Sequence, residues 1–278
     1  MVKHLAEQNC RFSVKSGGHN ANPGANSVND GVSIDLKHLT AHSSAEDGSY
    51  VTLGTGMSWK QAYGAFEDQN IGFTGGICED VGVGGISVGG GQSLFQVSKG
   101  WVVDNILRYE VVLASGEVVN ATQEEHPRLY KALKGGNTNL GIVTSVDLVA
   151  FELDKVWGGQ LLLLLNGPQA PRAEMVDRLT RATIDFIDNN DKDTASGLQV
   201  ITTYLRDGSQ IVDLALSNTD NVANAPALDA FLNMPNRFLN TTRSQSIGEL
   251  AHETSEAVPR GFRYVLLLTY LHTYKCTN

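Results

Sequence analysis

Alternation of apolar and polar positions dominates the first 150 residues, in short runs that glycine keeps interrupting. Residues 33–36, 50–53, 109–113, 118–119 and 142–148 are rich in β-branched and aromatic side chains and read as strands. One helical period stands out among them. Ser58 occupies an N-cap position, and Trp59, Ala62, Tyr63 and Phe66 then fall on one face, with Asn70 and Gly72 marking the stop. Residues 127–133 give a second helix opened by Pro127, and residues 1–8 have the texture of a helix end. The stretch 74–91 is too rich in glycine for a strand interior. It reads as one long loop, and within it no clear strand leads straight into residues 82–87 and no helix follows them.

Past Asp154 the texture changes. Residues 159–166 form an apolar strand, and 170–187 predict a helix because Met175, Leu179, Ala182 and Phe186 recur on one face. Residues 199–205 and 210–217 pair as a hairpin across Asp207-Gly208. Helices at 226–232 and 246–256 and a last strand at 263–271 complete the pattern. Helices mixed with antiparallel strands predict an α+β fold with a boundary near residue 152, and there are no repeats or low-complexity tracts.

Composition narrows the function classes. A chain of 278 residues with 41% hydrophobic content is ordinary for one large or two medium globular domains. Thirty acidic against 21 basic residues give a formal charge of −9, and no Lys/Arg cluster stands out. Nucleic acid and anionic membrane both require a concentrated positive face, so neither is an expected partner. A small neutral or cationic substrate fits better. The densest apolar run, 161–165, is far short of the roughly 18 residues that span a bilayer. The amino terminus has no basic region followed by an apolar core, and localisation stays unassigned. Sequons at Asn120-Ala121-Thr122 and Asn240-Thr241-Thr242 permit N-glycosylation.

Cys10, Cys78 and Cys276 form neither a disulfide framework nor a metal-ligand spacing, and His4, His38, His42, His126 and His252 add none, so no metal is expected. The acidic run 188–193 lacks the glycine and terminal glutamate of a calcium loop and reads as a solvated helix end.

Two segments carry the chemistry. The first is Lys15-Ser16-Gly17-Gly18-His19. The second is Gly76-Ile77-Cys78-Glu79-Asp80-Val81-Gly82-Val83-Gly84-Gly85, with Gly89-Gly90-Gly91 close behind. Clustered glycines bring bare N–H groups against a ligand, which is how backbone cradles a diphosphate. His19 and Cys78 place a nucleophile beside each turn. A neutral imidazole attacks as it stands, whereas a thiol must ionise, which a nest of backbone N–H groups favours. Gly82 and Gly84 do not make a nicotinamide fingerprint, because Ser87 stands where the third glycine of G-x-G-x-x-G belongs.

This joint pattern resembles the berberine-bridge-enzyme-like branch of the vanillyl-alcohol-oxidase family of FAD oxidoreductases. In that family's bicovalent members the histidine of an SGGH motif bonds the flavin 8α-methyl carbon, and the cysteine of a CxxVGxGG motif bonds C6. Gly31-Val32-Ser33-Ile34-Asp35-Leu36, Trp101-Val102-Val103-Asp104-Asn105, the run from Glu110 to Gly116 and the run from Lys131 to Thr144 are similar to further family segments. The chain departs from the family at Lys15, usually Arg, and at Asn137 and Leu140, commonly Gly and Phe.

The resemblance implies a PCMH-type FAD-binding domain over residues 1–152 and an antiparallel-sheet substrate domain over 153–278. It also implies that the chain is short at both ends, because family domains begin well before SGGH and end in an Asn-Tyr-rich segment. FAD would be held by Ser16, Gly17, Gly18, His19, Cys78, Val81, Gly82, Gly84 and Gly85, with Gly141, Ile142 and Val143 along the adenine half. The implied covalent link runs through His19, and a second through Cys78 is left open. The implied activity is oxidation of a carbohydrate or secondary-metabolite alcohol, or a related substrate, with O2 as electron acceptor. A secreted location is compatible with the family. The alternative is a truncated, catalytically silent relative that binds a ligand or partner without turnover. Tyr204, Tyr270, His272 and Tyr274 are base candidates by position alone, and none is assigned, since such groups usually pack with the polar tip satisfied.

Overall fold

Residues 1–22, 24–204 and 208–256 are described by the computed structural model, in two units that divide between Asp154 and Lys155. The first opens with α1 (Val2–Glu7) and a parallel pair, β1 (Phe12–Lys15) and β2 (Val32–Asp35). Leu5, Ile34 and Leu36 form the small apolar cluster beneath them. Strands β3 (His42–Ser44), β4 (Tyr50–Gly54), β5 (Ile71–Phe73), β6 (Ile106–Val112), β7 (Val118–Ala121) and β8 (Ile142–Glu152) build an antiparallel sheet. Its order is β3-β4-β8-β6-β7, and β5 pairs with the far end of β8.

The alternation read in the sequence is the two faces of this sheet. Val51, Leu53, Tyr109, Val111, Val146 and Leu148 point inward and are buried, each contributing about 1.5–3 kcal/mol by leaving water. Between them, on the other face, Arg108 grips Asp147 with two bonds of 2.6 and 2.7 Å, and the Thr52 hydroxyl donates to the same carboxylate at 2.7 Å.

Helix α2 (Trp59–Phe66) starts where expected. Ser58 accepts from the Gln61 N–H while Gln61 reaches back to the Ser58 N–H, a reciprocal cap that satisfies two otherwise orphaned donors. Trp59, Ala62, Tyr63 and Phe66 are its buried residues. The helix ends through a tight turn, Glu67–Gln69, and Asn70 in the left-handed region, with φ 53°.

The glycine-rich stretch departs from expectation. It contains a helix, α3 (Val83–Gly89), where an unbroken loop was predicted. Glycine weakens a helix by about 1 kcal/mol per residue relative to alanine. Burial of Val83, Ser87 and Val88 offsets that cost, and the buried Ser87 hydroxyl donates to the Val83 carbonyl one turn back. Helices α4 (Gln96–Lys99) and α5 (Pro127–Leu133) complete the unit, the latter spanning the predicted residues.

The second unit is an antiparallel sheet of β9 (Val156–Leu164), β10 (Ser196–Tyr204), β11 (Gln210–Asn218), β12 (Arg237–Asn240) and β13 (Arg243–Gln245), in the order β10-β11-β9-β12 with β13 also on β9. Helix α6 (Arg172–Asp188) buries Met175 and Leu179 and lays Ala182 and Phe186 against Leu161, Leu163, Val212, Leu214 and Leu216. The helix expected at 226–232 is a tight turn, Pro226–Leu228, followed by the single turn α7 (Asp229–Leu232); α8 (Ile247–Glu256) packs near β9. Strands β12 and β13 were not expected. They are short, and Arg237, Asn240, Arg243 and Gln245 dilute any period-two signal. The expected strand at 263–271 and the Asp207 end of the hairpin turn lie outside the described residues.

Candidate cofactor site

Three separate stretches singled out in the sequence meet at one residue that was not. Ser16 donates its hydroxyl to the Thr55 carbonyl at 2.5 Å. Thr55 in turn donates its hydroxyl to the Val143 carbonyl at 2.7 Å, and its N–H to the Thr144 carbonyl at 3.0 Å. Thr55 is fully buried, so its hydroxyl bond to Val143 is made where water does not compete. These ties hold the Ser16–His19 loop, the end of β4 and the start of β8 in fixed register. Thr55 stands between Gly54 and Gly56, and that flanking pair was its only sequence signal.

The second glycine segment joins the same cluster backbone to backbone. A β-carbon on Gly17 would lie 2.5 Å from the Gly82 nitrogen, and one on Gly84 would lie 2.9 Å from the Ser16 hydroxyl. The turn from Cys78 to Val81 is docked on the first turn of α2. Trp59 N–H donates to the Val81 carbonyl at 3.0 Å and Lys60 N–H to the Glu79 carbonyl at 2.8 Å, which satisfies donors that a helix start leaves open. Lys60 also pairs with the Glu79 carboxylate at 3.1 Å. Just before Cys78, the buried Tyr63 hydroxyl donates to the Gly76 carbonyl at 2.8 Å. Burial first, and then the negative charge of Cys78, push the Tyr63 phenol above its ordinary range, so it remains a donor.

His19 is exposed and Cys78 is half-buried. The histidine loop is closed by Asn26, which donates to the Gly18 and Asn20 carbonyls at 3.2 and 2.8 Å. Its root is held by Lys15, paired with Asp35 at 3.0 Å. Where the family usually has arginine, lysine makes this bond and lays its stem 3.3 Å from the position of a Gly18 β-carbon. Thus Ser16, Gly17, Val81, Gly82, Gly84 and Val143 are gathered directly, with Gly18, His19 and Cys78 carried on the loops they anchor. Gly141 and Ile142 lead into β8 beside Val143. Gly85 is exposed on the first turn of α3, and a β-carbon there would meet nothing within 4 Å. Bare backbone facing open space beside two tethered loops fits a bulky diphosphate cofactor. Of the base candidates, Tyr204 is exposed at the end of β10; Tyr270, His272 and Tyr274 lie outside the described residues.

Residues 1–122 match the family model described as an FAD binding domain. The FAD-dependent monooxygenase tpcD of Cochliobolus heterostrophus is 32% identical over 262 residues, covering 92% of this chain and 49% of that protein. The structure of 6-hydroxy-D-nicotine oxidase from Arthrobacter nicotinovorans superposes with a TM-score of 0.79 at 21% identity, over 94% of this chain and 56% of that one. Berberine bridge enzyme from Eschscholzia californica gives 0.72 at 18% identity, over 92% and 52%. The two solved structures show the shared fold, and the chain spans about half the length of the curated relatives it matches. Residues 1–122 thus belong to the FAD binding domain family, and the chain shares its fold with 6-hydroxy-D-nicotine oxidase and berberine bridge enzyme.

Proposed function

We propose that this chain supplies the cofactor-holding part of an FAD-dependent oxidase, with residues 1–152 as the FAD-binding domain and 153–278 as the substrate domain. The observation that carries the reading is the meeting of Ser16, Thr55 and Val143 through hydrogen bonds at the buried Thr55, with both glycine loops packed on that junction. Backbone of Gly17, Gly18, Val81, Gly82, Gly84 and Gly85 would face the diphosphate and ring edge, and Gly141, Ile142 and Val143 the adenine half. His19 and Cys78 are the two nucleophiles on these loops and would anchor the cofactor covalently.

When bound, the flavin supplies a two-electron acceptor for a substrate C–H bond. What the chain does is hold and orient. Tyr63 fixes the carbonyl two residues before Cys78, Lys15 fixes the root of the His19 loop, and α2 receives the Cys78–Val81 turn. Two covalent anchors would hold the ring rigidly and raise its potential, which suits oxidation of a carbohydrate or secondary-metabolite alcohol with O2 as acceptor.

Acid precipitation of the purified protein tests the anchors. Colour should stay in the pellet, and the flavinylated peptides should contain His19 and Cys78 and carry the mass of FAD. A colourless protein would refute the cofactor reading; flavin wholly in the supernatant would refute only the covalent part.

A further inference from the structure

We propose that Asn240, and not Asn120, is an N-glycosylation site of this chain. The two sequons are alike as sequence and unlike as structure. Asn240 is exposed at the end of β12, at the corner where the chain turns into β13. There the Thr242 N–H and hydroxyl both donate to Asn240 Oδ1, at 3.0 and 2.8 Å. The sequon threonine thus engages the amide oxygen of its own asparagine and polarises the carboxamide that must act as nucleophile. Thr241, between them, is fastened to β9. Its N–H donates to the Gln160 carbonyl at 3.0 Å, its hydroxyl accepts from the Gln160 N–H at 2.8 Å, and it touches Glu253. The corner is therefore fixed and its acceptor residue left outside.

At the other sequon the same groups are committed elsewhere. Asn120 Oδ1 accepts from Arg108 at 3.0 Å, and Arg108 is itself clamped on Asp147. The Thr122 hydroxyl accepts from the Glu124 and Glu125 N–H groups at 3.1 and 2.9 Å and reaches the Glu124 carboxylate at 3.2 Å. Both threonine arrangements are local, between residues no more than three apart, so such turns form in a nascent chain before any tertiary contact.

A glycan at Asn240 would also cover something that needs covering. Among the described residues β12 is an edge of its sheet, and it exposes Phe238 (52%) and Leu239 (43%). An apolar edge strand is a template for aggregation, and a hydrophilic branch at its last residue blocks approach. In the transfer itself, Asn240 Nδ2 bonds to the anomeric carbon of a lipid-diphosphate-linked oligosaccharide and the bond from that carbon to the diphosphate oxygen breaks. The diphosphate leaves with the electron pair, the amide proton passes to the transferase's base, and nothing is oxidised or reduced.

The test is the full chain produced through a eukaryotic secretory pathway, released from its glycans by peptide N-glycosidase in ¹⁸O water and mapped by mass spectrometry. The heavy label is expected on Asn240 alone. Asn240→Gln should then run at the glycan-free mass while Asn120→Gln runs unchanged. Because a change at the corner can disturb folding, Thr242→Ala and Thr242→Ser form a second pair: the alanine variant should lose the glycan and the serine variant keep it. Label on Asn120, or on neither asparagine, overturns the assignment.

Discussion

Gly17 and Gly82 pack main chain against main chain, so close that a β-carbon on Gly17 would sit 2.5 Å from the Gly82 nitrogen. Neither position has room for a methyl group, because the neighbour it would strike is backbone and cannot swing aside. Gly17→Ala or Gly82→Ala should cost about 1–3 kcal/mol, the range for overpacking, measured as a lower thermal midpoint. Gly85→Ala is the contrasting case. It points into open space from a helix, so it should raise apo-protein stability by about 0.5–1 kcal/mol while lowering flavin retained on purification. Equal flavin content in wild type and Gly85→Ala would remove Gly85 from the cofactor site.

Thr55→Val keeps shape and removes a hydroxyl whose acceptor is the buried Val143 carbonyl. The expected cost is about 1–3 kcal/mol, since that carbonyl is left without its donor. Ser16→Ala should cost less in stability, because the Ser16 side is only part-buried, yet it frees the His19 loop. Hydrogen exchange should therefore rise in residues 16–20 for Ser16→Ala and on both sides of the junction for Thr55→Val.

Tyr63→Phe removes the buried bond to the Gly76 carbonyl, at about 1–2 kcal/mol. Its more specific effect is on the loop that carries Cys78. If that cysteine is an anchor, the variant should show a lower fraction of flavin attached through Cys78 with attachment through His19 unchanged, read by peptide mass. A loss equal at both anchors would mean that Tyr63 acts on the whole fold.

In the second unit, burial and then the charge of Glu253 raise the Asp213 carboxyl from 3.8 to about 6. The Gln160 amide faces this carboxyl and donates to it at 2.5 Å. A carboxyl pKa higher in the folded than in the unfolded chain means that the folded state holds more protons. The stabilisation is full below about pH 4 and is lost as pH rises through 6. Asp213→Asn should flatten the fall in stability across that window, by on the order of 2 kcal/mol, in unfolding curves taken from pH 4 to 8. A slope unchanged by the substitution would show that another group carries it.

How far the sequence could be read follows from which contacts are local. The α2 helix announced itself completely, because its cap, its apolar face and its stop lie within a dozen residues or so. The α3 helix was invisible for the opposite reason. Its glycines argue against it locally, and what favours it is burial of Val83, Ser87 and Val88 by parts of the chain far off in sequence, with Tyr109 donating to the Ser87 carbonyl at 2.9 Å. Glycine loops and nucleophiles could be named from motif alone. Thr55 could not, since nothing about a threonine between two glycines reveals that two remote segments will fasten to it.

The bonds at Thr55 also impose an order on synthesis. Ser16 and Thr55 are 39 residues apart, but Thr55 and Val143 are separated by 88, and contacts that close long loops form slowly and late. A nascent chain that has emerged only as far as residue 122 has both glycine loops and both nucleophiles, yet it lacks the strand to which Thr55 is tied. Cofactor capture must therefore wait for β8 to leave the ribosome. Flavin added to stalled chains should bind those ending well beyond residue 152 and not those ending at 122.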